Sequence, residues 1–279
     1  MGYENLLWVK NLFMNKLKLI LFISTCMALC CNNNKPEETS AGGEINKNEK
    51  SVFAGNWISK NYQDSLDIYG MPSKLKFSAT EICISYAADS MCEFIMGIGR
   101  NIFSIVEKSD TSFRVRNYDD NSFADFYLTA GGREIYYESK TDHQQFYFFR
   151  AEPKYAVKEI DGWNSAFELY FNERMIADNY FLLNPENKPS MRVAFTSYGE
   201  ITGLPGYKSF KICYGETCVH QTKDDLITLS DSGNSENFIW NWKNDTLIFY
   251  SVLNTSAEKN NPYYEKGTEI FKFIKSLNR

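Results

Sequence analysis

Between residues 52 and 150 the chain consists of short runs, each the length of one β-strand, that alternate apolar with polar residues or are rich in aromatic side chains. These runs cover residues 57–62, 74–78, 82–86, 92–96, 103–107, 112–117, 123–128, 134–138 and 145–150. Turn residues such as Ala130-Gly131-Gly132 separate them, and no long helical period interrupts them. About eight or nine short strands at near-regular spacing predict an up-and-down β-barrel or a β-sandwich.

The second half of the chain repeats the order of features in the first. Residues 176–181 correspond to 53–58, 243–251 to 131–139, and 270–275 to 145–150. This order is preserved over offsets of about 112 to 125 residues, which predicts a degenerate tandem duplication. Aromatic residues make up 16% of the chain, and they suit pleated, half-buried surfaces. The sequence therefore predicts an all-β fold of two tandem antiparallel halves, each a barrel or a sandwich, joined by a helix.

The joining helix is predicted from one amphipathic segment between the halves. Its large apolar residues recur at helical spacing and are Trp163, Phe167, Tyr170, Phe171 and Ile176. Asp161 precedes them as a candidate N-cap. The predicted organisation is a first β domain over 52–153, a linker helix over 154–178 and a second β domain over 179–279. The helix either lies across the mouth of the first barrel or links the two domains.

The N-terminus predicts export from the cytoplasm. Lys16 and Lys18 precede an apolar run from Leu19 to Leu29. This run is too short to cross a bilayer as a stable helix, but it is typical of a signal-peptide core. Because a complete signal peptide begins at Met14, translation starts either there or at Met1.

The apolar run ends in Ala28-Leu29-Cys30-Cys31 and changes abruptly into polar residues. This junction resembles the lipobox of bacterial lipoproteins, so residues 1–31 are predicted to be a signal peptide. The resemblance implies that one cysteine is lipidated and becomes the mature N-terminus, with the membrane as its partner. Cys31 is the first choice, Cys30 the second and Cys26 the third. An ordinary cleaved signal peptide or a single anchor helix is the alternative.

Residues 32–51 hold almost no large apolar side chains, so this segment is predicted to be a disordered tether. Asn32 follows Cys31 in place of the aspartate that retains lipoproteins at the inner membrane in the best-studied Gram-negative systems. The resemblance therefore implies that the protein is localised at the outer membrane of the cell envelope. Lys35-Pro36-Glu37-Glu38 is similar to the charged tether that sends lipoproteins of Bacteroidota to the cell surface. Both the periplasmic and the surface face stay open.

Four cysteines follow the signal peptide in two local pairs, Cys83 with Cys92 and Cys213 with Cys218. A hairpin that turns at Ala87-Ala88 places the first pair directly opposite each other, and one at Gly215-Glu216 does the same for the second. Disulfides persist outside the cytoplasm, so two structural disulfides are predicted. A metal or redox site is the alternative, but neither spacing matches a zinc site.

The first strand opens with Gly55-Asn56-Trp57. This motif resembles the Gly-x-Trp of lipocalins and of the lipocalin-like domains found in lipoproteins of Bacteroidota. In that family the tryptophan closes the base of the barrel. The resemblance implies that Gly55 and Trp57 are structural and do not contact a ligand. The second half has Asp178-Asn179-Tyr180 at the corresponding place.

The charge of the chain excludes nucleic acid as a partner. Residues 1–31 hold three lysines and one glutamate, so without them the 30 basic and 35 acidic side chains become 27 and 34, a net charge of −7. No basic stripe is present. The electrostatic attraction that dominates nucleic-acid binding is therefore missing.

Few residues suit catalysis. Only His143 and His220 are available as imidazoles, and both are predicted to be solvated surface residues. The acidic pairs Asp119-Asp120 and Asp224-Asp225 offer hydrolysis or calcium binding, but neighbouring carboxylates on a turn are usually solvated. The nucleophile elbow, the Walker loop and the His-Glu-x-x-His motif are absent from the sequence. The sequence predicts no catalytic residue, no metal site and no cofactor.

The favoured function is that of a lipid-anchored envelope protein that binds a small apolar or sugar ligand without catalysis. A protein-interaction or inhibitor module and an envelope hydrolase are the alternatives. A cavity with apolar walls supports the first, and a filled barrel with an exposed apolar patch supports the second. Two polar side chains that converge in a cleft and have a perturbed pKa support the third.

Overall fold

The computed structural model of the chain describes residues 51–75, 78–96, 98–140, 143–214, 221–256 and 262–276, which belong to one compact unit. The signal peptide, the candidate lipidation residues Cys26, Cys30 and Cys31, and tether residues 32–50 lie outside the described residues. Those interpretations stay predictions. Within the described ranges, no helix combines the length and the hydrophobicity needed to span a bilayer.

The first half is a closed barrel of eight antiparallel strands in chain order, in which the first strand pairs with both the second and the eighth. The strands are β1 Gly55–Ser59, β2 Thr80–Ser85, β3 Ser90–Ile95, β4 Gly99–Lys108, β5 Ser112–Asn117, β6 Phe123–Leu128, β7 Glu134–Glu138 and β8 Gln145–Arg150. The all-β prediction is confirmed, and the barrel is the correct alternative for this half.

A helix, α1 (Lys60–Tyr69), interrupts the first half where the sequence predicted a strand over 57–62 and no helix at all. The strand stops at Ser59, whose Oγ accepts a hydrogen bond from the Tyr62 N–H at 3.2 Å and so caps the helix. Tyr62 and Leu66, one turn apart, are both buried. The prediction is wrong here because a capping serine and an i, i+4 apolar pair outweigh the alternation of β1. A 3-10 turn (Pro72–Lys74) follows.

The predicted linker helix exists but starts later than expected. A small hairpin of β9 (Lys158–Ile160) and β10 (Trp163–Ser165) precedes α2 (Phe167–Met175). Asp161 has φ 51° in the hairpin turn, and Ala166 holds the N-cap position. The predictions that Asp161 caps the helix and that Trp163 lies on its face are therefore wrong, because the turn at Asp161-Gly162 reverses the chain before the helix begins.

The second half is an eight-stranded sheet in the order β13-β12-β11-β18-β17-β16-β15-β14. Its strands are β11 Asp178–Leu183, β12 Pro189–Phe195, β13 Ile201–Thr202, β14 Ser209–Ile212, β15 Asp225–Asp231, β16 Asn234–Lys243, β17 Thr246–Asn254 and β18 Tyr264–Lys275. The first and last strands pair, as they do in the barrel. The two sheet edges also meet, since Phe210 N–H donates to the Gly199 carbonyl at 2.7 Å. The tandem duplication stays a prediction.

Both helices pack between the two halves and share one core with the second sheet. The Tyr62 ring on α1 lies 5.2 Å from Phe171 on α2, and Phe171 lies 5.9 Å from Tyr214, which follows β14. The neighbouring residue on α2, Tyr170, contacts Phe149 of β8 at 5.1 Å. Of the two positions open to the linker helix, the structure shows the one that joins the halves.

Candidate functional site

The pleat of each barrel strand decides which side chains face the lumen. In β3, Met91 packs in the lumen core, whereas Cys92 and Phe94 pack outside the barrel against Trp163. Because alternate residues of a strand face the same side, Glu93 points into the lumen with Met91. In β4, Phe103 packs against the same lumen core, so Asn101, two residues before it, also faces inward.

One end of the lumen, which we name the closed end, is filled with side chains. It is the end at which β1 begins. Trp57 is fully buried, its Nε1–H donates to the Phe53 carbonyl at 2.7 Å, and the guanidinium of Arg150 lies 4.7 Å from its ring centre. Phe53 contacts Phe113 at 5.0 Å, and Phe113 stacks on Phe126 at 4.9 Å. Gly55 has φ 114°, which favours glycine there.

The opposite end, which we name the open end, has lumen residues that are only partly buried. Phe103, Tyr137 and Phe146 pack against the lumen core but remain partly exposed. Tyr137 and Phe146 are stacked, with ring centres 5.0 Å apart and planes inclined by 13°. Since these residues lie where β7 ends and β8 begins, they form an aromatic wall at the barrel mouth.

A polar pair lies on the wall opposite Tyr137 and Phe146, next to Phe103 on β4. Glu93 on β3 and Asn101 on β4 are direct cross-strand neighbours, and Asn101 Nδ2 donates to Glu93 Oε2 at 3.0 Å. Strands β3 and β7 are four positions apart in the eight-stranded barrel and therefore face each other across the lumen. Burial raises the pKa of Glu93, and the hydrogen bond from Asn101 partly opposes this rise. We name Glu93, Asn101, Phe103, Tyr137 and Phe146 the open-end site.

The rim of the open end carries exposed apolar side chains. Ile98 in the β3–β4 turn is 57% exposed, Tyr118 in the β5–β6 turn 58%, and Phe123 at the start of β6 45%. His143, also at this rim, pairs with Glu138 Oε1 at 2.8 Å and has 81% of its side chain exposed, as the sequence predicts for a solvated histidine. His220 lies outside the described residues.

A cleft of about 480 Å³ lies outside the closed end. Its walls include Val52, Phe53, Tyr86, Lys108 and Asp110. The Lys108 ammonium lies 4.2 Å from the centre of the Tyr86 ring, and it also forms an ion pair with Asp89. This cleft is open to solvent and is separated from the open-end site by the packed aromatic core.

The first cysteine pair has the predicted register but not the predicted bond. Cys83 lies directly opposite Cys92, and no disulfide joins them. Met96 N–H donates to the Ala79 carbonyl in the same ladder, so Cys83 and Cys92, four residues further along, form a hydrogen-bonded pair. Side chains stand further apart in such pairs than in non-hydrogen-bonded ones. The prediction of a Cys83–Cys92 disulfide is therefore wrong.

The second cysteine pair is only half described. Cys213 is disulfide-bonded. Cys218 and the predicted turn at Gly215-Glu216 lie outside the described residues. The pairing of Cys213 with Cys218 therefore stays a prediction.

Sequence reasoning missed a buried carboxylate outside the barrel, that of Glu81 on β2. Its Oε1 accepts hydrogen bonds from Asn56 Nδ2 and Ala166 N, each at 2.7 Å. Its Oε2 accepts from Ser165 Oγ at 2.6 Å and Phe167 N at 3.2 Å. Burial raises the pKa of Glu81, and these four donors oppose the rise. Glu81 thus joins the barrel to the N-terminus of α2 and is structural.

The acidic pair Asp224-Asp225 is not a solvated turn, so that prediction is wrong. Asp225 begins β15 and is 2% exposed, because the 3-10 turn of the first half covers it. Its Oδ1 accepts a hydrogen bond from Ser73 N–H at 2.6 Å. Burial raises the pKa of Asp225 to about 6. The other pair, Asp119-Asp120, lies in an exposed turn as predicted.

Comparison of the chain with protein-family models, with curated proteins and with solved structures found no match. Its geometry defines the class of protein. It is an all-β protein that contains a closed eight-stranded barrel and a second eight-stranded sheet.

Proposed function

We propose that this chain is a cell-envelope protein that binds a small apolar or sugar ligand in the open end of its barrel, without catalysis. One observation carries the proposal. The lumen is packed solid around Trp57 and Phe113, whereas its other end has partly exposed aromatic walls and one polar pair.

The lining of the open-end site supports a small ligand. An eight-stranded barrel is just wide enough either to be filled by side chains or to hold one small molecule. Ligand pockets are mostly apolar and carry a few placed polar groups. Phe103, Tyr137 and Phe146 supply apolar faces on which an apolar body or a sugar ring packs. Glu93 and Asn101 supply the polar groups.

A protein-interaction module is the second candidate, and the rim favours it. Ile98, Tyr118 and Phe123 are exposed around one end of the barrel. Exposed apolar residues that cluster at one place mark contact surfaces more often than scattered ones do. Binding of a partner there would cover the entrance to the open-end site.

Blocking the lumen tests the ligand proposal. Ala124 is partly buried against the lumen core near the open end, and Ala124→Phe adds a ring in that space. We expect the affinity for the neutral fluorescent probe N-phenyl-1-naphthylamine to fall by roughly tenfold or more, a loss of about 1.4 kcal/mol. Fluorescence titration measures it.

Asp110→Phe is the matched control, because it adds the same ring beside the closed-end cleft. We expect this variant to bind the probe as the wild-type chain does. Loss of binding in Asp110→Phe with retention in Ala124→Phe would place the probe in the closed-end cleft and overturn the proposal.

The lipid anchor is part of the proposal and rests on the resemblance of residues 28–31 to a lipobox. We expect the double substitution Cys30→Ala with Cys31→Ala to move the protein from the membrane fraction to the soluble fraction and to abolish palmitate labelling. A lipid chain anchors through burial of its methylenes, which contribute about 0.8 kcal/mol each. Fractionation of Cys26→Ala is the control and should match wild type. Unchanged labelling of the double variant together with loss of labelling in Cys26→Ala would place the lipid on Cys26, and unchanged labelling of both variants contradicts the anchor.

A further inference from the structure

We infer that the ligand of the open-end site is an organic cation, namely a primary amine or ammonium group on an apolar body. The positively charged group of this ligand binds to the carboxylate of Glu93. This inference rests on the proposed function and names its ligand class. It comes from the juxtaposition of an uncompensated carboxylate with aromatic side chains in one lumen.

The charge of Glu93 has no protein counter-ion among the described residues. Its only hydrogen bond there comes from Asn101 to Oε2, which leaves Oε1 without a donor from that part of the chain. The nearest arginine in sequence, Arg100, points outward and forms an ion pair with Asp161 at 2.7 Å. Glu81 provides a contrast, since four donors satisfy both of its oxygens.

A partly desolvated carboxylate without a cation costs free energy, and a cationic ligand removes that cost. Burying an ionised group is unfavourable unless it is paired and hydrogen-bonded. A ligand ammonium supplies both the charge and N–H donors for Oε1. An anionic ligand adds a like charge and is rejected. A neutral hydroxyl donates one hydrogen bond but leaves the charge uncompensated.

The aromatic wall adds a second attraction for a cation. Tyr137 and Phe146 lie on strands β7 and β8, across the lumen from the strands of Glu93 and Asn101. Ring faces attract cations, most strongly where water is excluded. Aromatic rings with a carboxylate therefore select a positively charged group with an apolar body over a sugar, which offers hydroxyls but no charge.

Three probes that share one indole ring test the inference. Tryptamine carries an amine, tryptophol a hydroxyl, and indole-3-acetate a carboxylate. Isothermal titration of the wild-type chain should give a dissociation constant for tryptamine at least about tenfold below that for tryptophol, with indole-3-acetate weakest. In Glu93→Gln, which keeps an oxygen that accepts from Asn101, this preference should disappear.

Glu107→Gln is the matched control, because Glu107 lies on the outer face and pairs with Arg114 at 3.1 Å. It should keep the preference for tryptamine. A second measurement needs no variant. Lowering the pH protonates Glu93, so tryptamine affinity should fall on acidification while tryptophol affinity holds. The cross-strand neighbours of Glu93, Ile82 on β2 and Asn101 on β4, carry no titratable group.

Each outcome separates this inference from the proposed function. Equal affinities for the three probes, unchanged in Glu93→Gln and across pH, would refute the inference that the ligand is a cation. They would leave the proposed binding function in place. Binding of N-phenyl-1-naphthylamine without tryptamine does the same. If neither the naphthylamine nor any indole binds, both the proposed function and the inference fail.

Discussion

Replacement of Glu81 by alanine is expected to cost about 3–5 kcal/mol of folding free energy, the range measured when one partner of a buried charged network is removed. The carboxylate is fully buried and accepts hydrogen bonds from Asn56, Ser165, Ala166 and Phe167. Without it, these donors stay buried with too few acceptors, and each unsatisfied group costs about 1–3 kcal/mol. The negative charge at the N-terminus of α2 is also lost.

Urea or thermal unfolding followed by circular dichroism measures this effect. Glu159→Ala on β9 is the matched control, because Glu159 is exposed and lies in the β9–β10 hairpin that also holds Ser165, a donor to Glu81. We expect it to unfold within about 0.5 kcal/mol of wild type. Glu81→Gln should lie between the two, since its amide accepts through one oxygen only. A Glu81→Ala chain as stable as wild type would contradict the structural role.

The barrel strands could be predicted from the sequence where apolar and polar residues alternate along them. Strands such as β5 and β6 alternate visibly and were predicted to within a residue, because one face of each is lumen and the other is solvent. The end of β1 could not be predicted this way. Tyr62 and Leu66 face a core shared with the second half, and that long-range contact is invisible in a local pattern.

The open-end site illustrates the same limit. In β3 the lumen face carries Met91 and Glu93, while the outer face carries Cys92 and Phe94 under the β9–β10 hairpin. Both faces are buried, so alternation gives no sign of which side Glu93 occupies. Cross-strand pairing with Asn101 needs the register of β3 and β4, which the sequence does not provide. The cysteine register was predictable because the turn at Ala87-Ala88 lies between two equal strands.

Asparagine in place of Asp225 is expected to stabilise the chain by about 3 kcal/mol at pH 7, since one pKa unit corresponds to about 1.36 kcal/mol. Burial is the largest cause of the raised pKa of Asp225, which lies at about 6 against 3.8 for an unperturbed aspartate, and Asp224 adds to it. Ser73 and Lys74 act in the opposite sense. Asparagine keeps an oxygen for the Ser73 N–H and removes the buried charge.

The pH dependence of this gain follows from proton binding. Between about pH 4 and pH 6 the folded chain binds more protons at Asp225 than the unfolded chain does, so the wild type loses stability at this residue as the pH rises through that window. Above pH 6 the wild type has lost all of this stability, and below pH 4 it has lost none of it. The advantage of Asp225→Asn should therefore be largest at pH 7 and small at pH 4.

Unfolding curves for both chains at pH 4, 5, 6 and 7 measure the difference. Asp119→Asn in the exposed β5–β6 turn is the control, because it removes a solvent-exposed carboxylate and should leave the stability unchanged at every pH. An advantage that is constant with pH would mean that the asparagine acts by packing and not by removing a charge. A destabilised Asp225→Asn chain at pH 7 would mean that the carboxylate has a stronger partner than Ser73 N–H. In either case the buried charge of Asp225 would not be what lowers the stability of the wild-type chain.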